Sequence, residues 1–186
     1  MGRKDFAELW HHPIFTPAGF ATFMGDLIPR FWRGQLAWYR TTLAWAGADL
    51  FYTVSSLLLL LAAALGLRRR ADSGAAPLLE GMCWAALLVS IACLAALSLL
   101  FVYGEKTDPS QAEPYFSHGR LISGVMVPFL VLYLRGIQEA CSRLPGRSAA
   151  VAAWGGVAVV VLVVAVSEIA VTRDIFLSGY NWFHLP

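Results

Sequence analysis

The stretch LAWAGADLFYTVSSLLLLLAAALGL, residues 43–67, decides the fold class because a bilayer core needs about 20 residues of apolar helix. Asp49 is its one charged residue. Three further apolar stretches follow, at residues 78–103, 121–134 and 149–171. The third is the shortest, and we expect Arg135 to extend it towards the interface and Pro128 to kink it. The sequence therefore predicts an all-α membrane protein with four transmembrane helices.

The composition agrees with this class. Of 186 residues, 58% are hydrophobic and 14% are charged, whereas soluble domains carry about 45–50% apolar and about 25% charged residues. The net charge of +2 comes from scattered cations, which predicts no nucleic-acid partner. The cysteines Cys83, Cys93 and Cys141 lack metal or redox spacing. We therefore expect no metal and no cofactor.

Three segments are predicted along the chain. Residues 1–41 form an N-terminal interfacial helical segment, residues 42–171 form the four-helix transmembrane bundle, and residues 172–186 form an aromatic C-terminal tail. Aromatic side chains in such a tail are typical anchors at the membrane–water interface. Those of this tail include Tyr180, Trp182 and His184.

The N-terminal segment carries a helix-start signal. Thr16 is a good N-cap, and Pro17 suits the first helical position. This pair predicts a short helix running towards Gly25, with Pro29 starting a second helix.

The second of these helices is rich in basic and aromatic residues. Arg30, Arg33 and Arg40 share one face of a helix, and Trp32 and Trp38 are typical interface anchors. We expect this helix to lie in the headgroup plane. Its arginines either meet anionic headgroups or guide a lipid-linked phosphate towards the outer mouth of the bundle.

Loop charges indicate an orientation. Arginines concentrate in the loops after the first and third spans, at Arg68, Arg69, Arg70, Arg135, Arg143 and Arg147. The positive-inside rule then places these loops in the cytoplasm and both termini outside, as expected for a bacterial inner-membrane protein. The basic N-terminal segment counts against this orientation.

Ionisable residues converge at the predicted outer end of the bundle. The run YFSHGRLISG, residues 115–124, places His118 and Arg120 at the mouth of the third span. Asp49 lies near the start of the first span and Glu168 near the end of the fourth. Because a lone carboxylate in a span is costly, we expect one of them to pair with Arg120.

Two interpretations of this outer end stay open. In the first, Arg120 forms an ion pair that pins helix ends, and nothing binds. In the second, Arg120 and His118 hold an anionic group such as a phosphate, and Asp49 or Glu168 orients them.

Other polar residues of the spans carry weaker expectations. Tyr52 and Ser56 extend a polar stripe from Asp49 that either lines a cavity or hydrogen-bonds to helix carbonyls. Glu80, at the inner end of the second span, is expected to be solvated.

Two runs carry a family resemblance. EPYFSHGRLISGVMVPFLVLYLRGI, residues 113–137, resembles the late-span motif of bacterial polytopic membrane proteins of the GT-C glycosyltransferase class, through Gly119, Arg120, Pro128 and Phe129. GDLIPRFWRGQLAW, residues 25–38, resembles the extracytoplasmic region that precedes their closing spans.

The resemblance implies a membrane-embedded C-terminal module or subunit of such an enzyme. It would bind a polyprenyl-phosphate-linked sugar donor at the outer membrane face, with Arg120, and secondarily His118, at the phosphate. Members of the class have eight or more spans and a catalytic acid in the first extracytoplasmic loop, which this sequence does not supply. We therefore expect a chain that is not catalytic alone and that needs a partner chain with further spans.

A second class of function is an alternative to the glycosyltransferase module. The chain is then a non-catalytic structural or assembly protein whose buried charges clamp helices. A small transporter is disfavoured because the span centres lack ionisable residues. The expected partners are membrane lipids, the polyprenyl-phosphate carrier and the partner chain, and whether the chain takes part in catalysis is left open.

Overall fold

The computed structural model describes residues 2–3, 9–34, 37–38, 41–69, 75–102 and 114–179. Its α-helices are α1 (Pro17–Arg33), α2 (Ala46–Arg69), α3 (Ala75–Leu100), α4 (Met126–Cys141) and α5 (Gly146–Phe176). Two 3-10 helices, Pro13–Phe15 and Gly119–Val125, precede α1 and α4. The strands have two residues each: β1 (Gly2–Arg3), β2 (Ala37–Trp38), β3 (Thr41–Thr42) and β4 (Phe101–Val102). They pair antiparallel as β1 with β4 and β2 with β3, and helices make up the rest of the fold.

Four segments of the described chain are long and apolar enough to cross a membrane. They are Ala46–Leu67, Pro77–Leu100, Leu121–Cys141 and Gly146–Phe176. The prediction of an all-α integral membrane protein with four spans is confirmed. The third span continues past Arg135 because this side chain forms an ion pair with Glu80 of the neighbouring span.

Helix α1 begins where the sequence predicts. The Thr16 hydroxyl accepts a hydrogen bond from the Gly19 backbone N–H at 3.0 Å, and Pro17 takes the first helical position. This cap satisfies one of the N–H groups that a helix start leaves without a partner.

The predicted break at Pro29 is wrong, because α1 runs through it. Phe23, Leu27 and Phe31 follow one another at four-residue spacing, and all three are buried. Their common face packs against the bundle and keeps the two halves of α1 in line across the proline, which lacks a backbone N–H.

The third span is not kinked at Pro128 as expected. Its first turns form the 3-10 helix Gly119–Val125, in which Ile122 has non-helical dihedrals (φ −104°, ψ 15°). Helix α4 starts afterwards, and Pro128 lies in its first turn. A proline there breaks no intrahelical hydrogen bond, so the change of direction occurs before it.

Helices α2 and α4 make the closest contact in the bundle. A Cβ atom on Gly136 would overlap the backbone carbonyl of Leu59, so only glycine allows this approach. On the other side of α4, a Cβ on Gly156 of α5 would lie 3.4 Å from Ile137 Cγ2. Small residues at such contacts let helices pack by van der Waals interactions where no hydrophobic effect favours their association.

The end of the bundle opposite to the α1 contact has its own ion pair. Arg135 Nε lies 3.0 Å from Glu80 Oε1, and the Glu80 side chain is only 4% exposed. Arg135 Nη1 also donates to Gln138 Oε1 at 2.9 Å. The expectation that Glu80 is solvated is wrong, because Glu80 is buried and forms an ion pair with Arg135 of α4.

We predict that Gly136→Ala lowers the free energy of unfolding by about 1–3 kcal/mol, because the added methyl must displace the α2 backbone. The measurement is equilibrium unfolding in mixed micelles. Gly155→Ala on α5 is the control, since a Cβ there meets nothing within 4 Å. Equal losses in both variants would contradict the close α2–α4 contact.

Candidate functional site

The entry loop, defined as residues 114–120, is tied to distant parts of the chain. His12 accepts a hydrogen bond at Nδ1 from Ile14 N, so its Nε2 carries the proton and donates to the Pro114 carbonyl at 3.1 Å. Ser98 of α3 accepts from the Phe116 backbone N–H at 2.7 Å. The loop is thereby fixed to the N-terminal segment and to the end of α3.

Helix α1 closes on the same loop. A Cβ on Gly119 would overlap the backbone of Arg30 and Phe31, so glycine is required where the loop crosses α1. Arg30 Nη1 donates to the Ser117 hydroxyl at 2.6 Å, and Ser117 is buried. Residues 25–38 and 113–137, which carry the family resemblance, are therefore in direct contact through α1 and the entry loop.

Asp49 is paired with Arg33 of α1. Arg33 Nε donates to Asp49 Oδ1 at 2.8 Å and Nη2 donates to Oδ2 at 3.2 Å, a bidentate pair. Arg33 Nη1 adds a bond to the Leu43 carbonyl at 3.0 Å. The side chains of Arg33 and Asp49 are 8% and 22% exposed. The pairing of Arg120 with Asp49 or Glu168 stays a prediction, because the Arg120 side chain lies outside the described part, and the partner seen on Asp49 is Arg33.

Trp32 is partly buried against α2 and α4. Its ring stacks on Tyr52 with centroids 5.3 Å apart, and its Nε1–H donates to Ser56 Oγ at 2.9 Å. Phe129 and Tyr133 of α4 meet the same ring edge-on at 5.4 and 5.3 Å. Trp32 and Arg33 thus have their side chains against α2, and their position at the lipid interface stays a prediction.

The polar stripe on α2 is used in contacts between helices. Tyr52 and Ser56 are both 1% exposed. The Tyr52 hydroxyl contacts Ser167 Oγ of α5, and Ser167 donates its own proton to the Val164 carbonyl at 2.9 Å. Tyr52 is therefore the donor to Ser167. Asp49, Tyr52 and Ser56 thus each have a partner on another helix.

The remaining predicted residues have different positions. His118 is half-buried, with its ring 4.7 Å from that of Phe116. Glu168 is exposed on α5, and its neighbour Ser167 makes the contact with α2. Arg120 has its backbone in the 3-10 helix after Gly119, and its side chain lies outside the described part. Arg40, the Trp38 side chain, and Tyr180, Trp182 and His184 of the C-terminal tail also lie outside it.

Several residues of this region were missed by the sequence reasoning. Ser98, Ser117 and Ser167 are buried serines, and each lies within hydrogen-bond distance of another element. A buried serine in a span also bonds to its own helix, so the sequence offered no signal that separates the two roles.

Two clefts of the described structure lie beside α4 and α5. One of about 380 Å³ lies between α2, α4 and α5, and one of about 460 Å³ lies between α4 and α5. Neither is lined by His118, Asp49 or Glu168. The described residues also contain no group of three or more His, Cys, Asp or Glu side chains placed to hold a metal ion.

Comparisons of the chain with protein-family models, with curated proteins and with solved structures gave no match.

We predict that Arg33→Gln and Asp49→Asn each lower the free energy of unfolding by roughly 3 kcal/mol, because either change leaves a buried charge without its partner. The double variant should lose clearly less than the sum of the two. Equilibrium unfolding in mixed micelles measures the coupling.

Arg173→Gln is the matched control, since Arg173 is exposed in the last turn of α5. It should change stability by less than about 0.5 kcal/mol. Additive losses at Arg33 and Asp49 would rule out an energetically coupled ion pair.

Proposed function

We propose that this chain is the membrane-embedded C-terminal module or subunit of a GT-C-like glycosyltransferase. In this proposal it binds the phosphate of a polyprenyl-phosphate-linked sugar donor at the outer face of a bacterial inner membrane. Both termini are then extracytoplasmic, and the sugar-transfer chemistry requires a partner chain.

The observation that supports this proposal is the contact of Gly119 with the α1 backbone at Arg30 and Phe31. The two runs that resemble the GT-C class are far apart in sequence, yet they meet at one end of the bundle. A binding site built from both runs would explain why both carry basic residues at this end of the bundle.

The basic residues at this end of the bundle have different parts in the proposal. Arg33 has its guanidinium on Asp49 and the Leu43 carbonyl, so we assign it a structural part. Arg30 donates to Ser117 in the contact between α1 and the entry loop, and His118 and Arg120 are the basic residues on either side of Gly119 in the sequence. An arginine fork matches phosphate oxygens well, and a half-buried position strengthens the interaction. In the proposal these three residues hold the phosphate, and Asp49 acts only through Arg33.

A second candidate function is a structural or assembly role without ligand binding. It is favoured by the polar residues of α2, since Asp49, Tyr52 and Ser56 each contact another helix. Such pairing is what buried polar groups in a membrane need even when nothing binds.

Native mass spectrometry of the full chain with a polyprenyl phosphate distinguishes the two candidates. We expect adducts with the phosphorylated lipid and few with the matching polyprenol, which lacks the phosphate. Arg120→Gln and Arg30→Gln should each weaken binding about tenfold, the effect of losing one charge-assisted hydrogen bond.

Arg143→Gln is the matched control, because Arg143 is exposed at the opposite end of the bundle. It should bind the lipid as the unmodified chain does. If the polyprenol binds equally well, or if both arginine variants keep full binding at unchanged melting temperature, the donor-binding proposal fails and the structural role is favoured.

A further inference from the structure

A cleft between α4 and α5 lies near the start of α5, at the end of the bundle that carries the Arg135–Glu80 pair. Its volume is about 460 Å³, within the range of small-molecule sites. The lining includes Leu134, Ile137, Gln138, Ala150 and Trp154. Four alanines on α5, at positions 149, 150, 152 and 153, leave the helix surface shallow near this cleft.

The cleft is open on the side that faces away from the rest of the bundle. Trp154 is 75% exposed, and Ala150 beside it is exposed too. Both α4 and α5 belong to segments long and apolar enough to cross a membrane, so acyl chains of a surrounding bilayer would meet this exposed face. An apolar cleft open to hydrocarbon is filled by an acyl chain rather than by water, because water finds too few polar partners there.

Arg147 places a positive charge on the same face of α5 as the cleft, nearer to the start of the helix. Arg147 precedes Ala150 by three residues and Trp154 by seven, so the three share one face, and Arg147 lies about 10 Å nearer the start of α5 than Trp154. Arg147 is exposed, and α5 has no acidic residue before Glu168.

The acidic residues of α3 and α4 at this end lie outside the lining of the α4–α5 cleft. Glu80 of α3 pairs with Arg135 of α4. Glu139 of α4 lines a separate cleft of about 250 Å³ together with Arg143. The helix face with Arg147 therefore carries a positive charge near the start of α5 and apolar residues further along, at Ala150 and Trp154. This pattern matches an anionic amphiphile, which has a charged headgroup and an apolar chain.

We propose that the α4–α5 cleft binds one anionic phospholipid of the adjacent leaflet. One acyl chain lies along Ala150 and Trp154, and the phosphate meets Arg147. The charge pattern disfavours a second copy of the chain as occupant, because a symmetric contact through this face brings two Arg147 side chains together. This site is independent of the donor site proposed at the other end of the bundle.

The test is native mass spectrometry of the full chain, delipidated and titrated with phosphatidylglycerol or phosphatidylcholine of the same acyl composition. We expect phosphatidylglycerol to bind more tightly. Arg147→Gln should weaken phosphatidylglycerol binding about fivefold, as expected for one basic residue near an anionic surface, and should weaken phosphatidylcholine binding less, because the choline cation offsets the phosphate charge. Ala150→Phe fills the cleft and should weaken binding of both lipids.

Matched controls lie on the same helix. Arg173→Gln removes an exposed arginine at the far end of α5, and Ala158→Phe adds the same bulk at an exposed position outside the cleft. Both should bind as the unmodified chain does. The proposal is overturned if Arg147→Gln and Ala150→Phe keep full binding, or if Arg173→Gln weakens it equally. It is also overturned if Ala150→Phe instead abolishes a dimer in the same spectra.

Discussion

The bidentate pair of Arg33 and Asp49 is the interaction on which the arrangement of this end depends. A carboxylate inside an apolar span needs a cation, and the pair meets that need by holding the end of α1 against the start of α2. With α1 fixed there, Trp32 enters the bundle and contacts α2 and α4. This ion pair thus helps to hold α1, which is not itself a span, against the transmembrane helices.

Two glycines then determine how closely the elements approach. Gly119 lets the entry loop cross α1 at Arg30 and Phe31, and Gly136 lets α4 contact the α2 backbone. Their effect is steric, since a Cβ at either position would occupy space that another backbone fills. Gly119 lies directly before Arg120, so the same steric condition that packs the loop also determines where that arginine leaves the backbone.

Helix α5 is attached differently from the other spans. Ser167 and Val171 are its buried residues, both near its C-terminal end, while much of its length is exposed. Clefts on two sides of its contact with α4 follow from this loose packing. In a membrane such a surface is covered by lipid, or by a further chain if the donor-binding proposal is correct.

The sequence by itself determined the class and the number of spans, because apolar length is a local property that hydrocarbon demands directly. It also determined the start of α1 at Thr16, since a cap acts over three residues. Only the tertiary structure decided which cation meets Asp49, that Glu80 is buried, and that α1 passes through Pro29. Those outcomes depend on which helices become neighbours, and the chain offers more arginines than its spans have carboxylates.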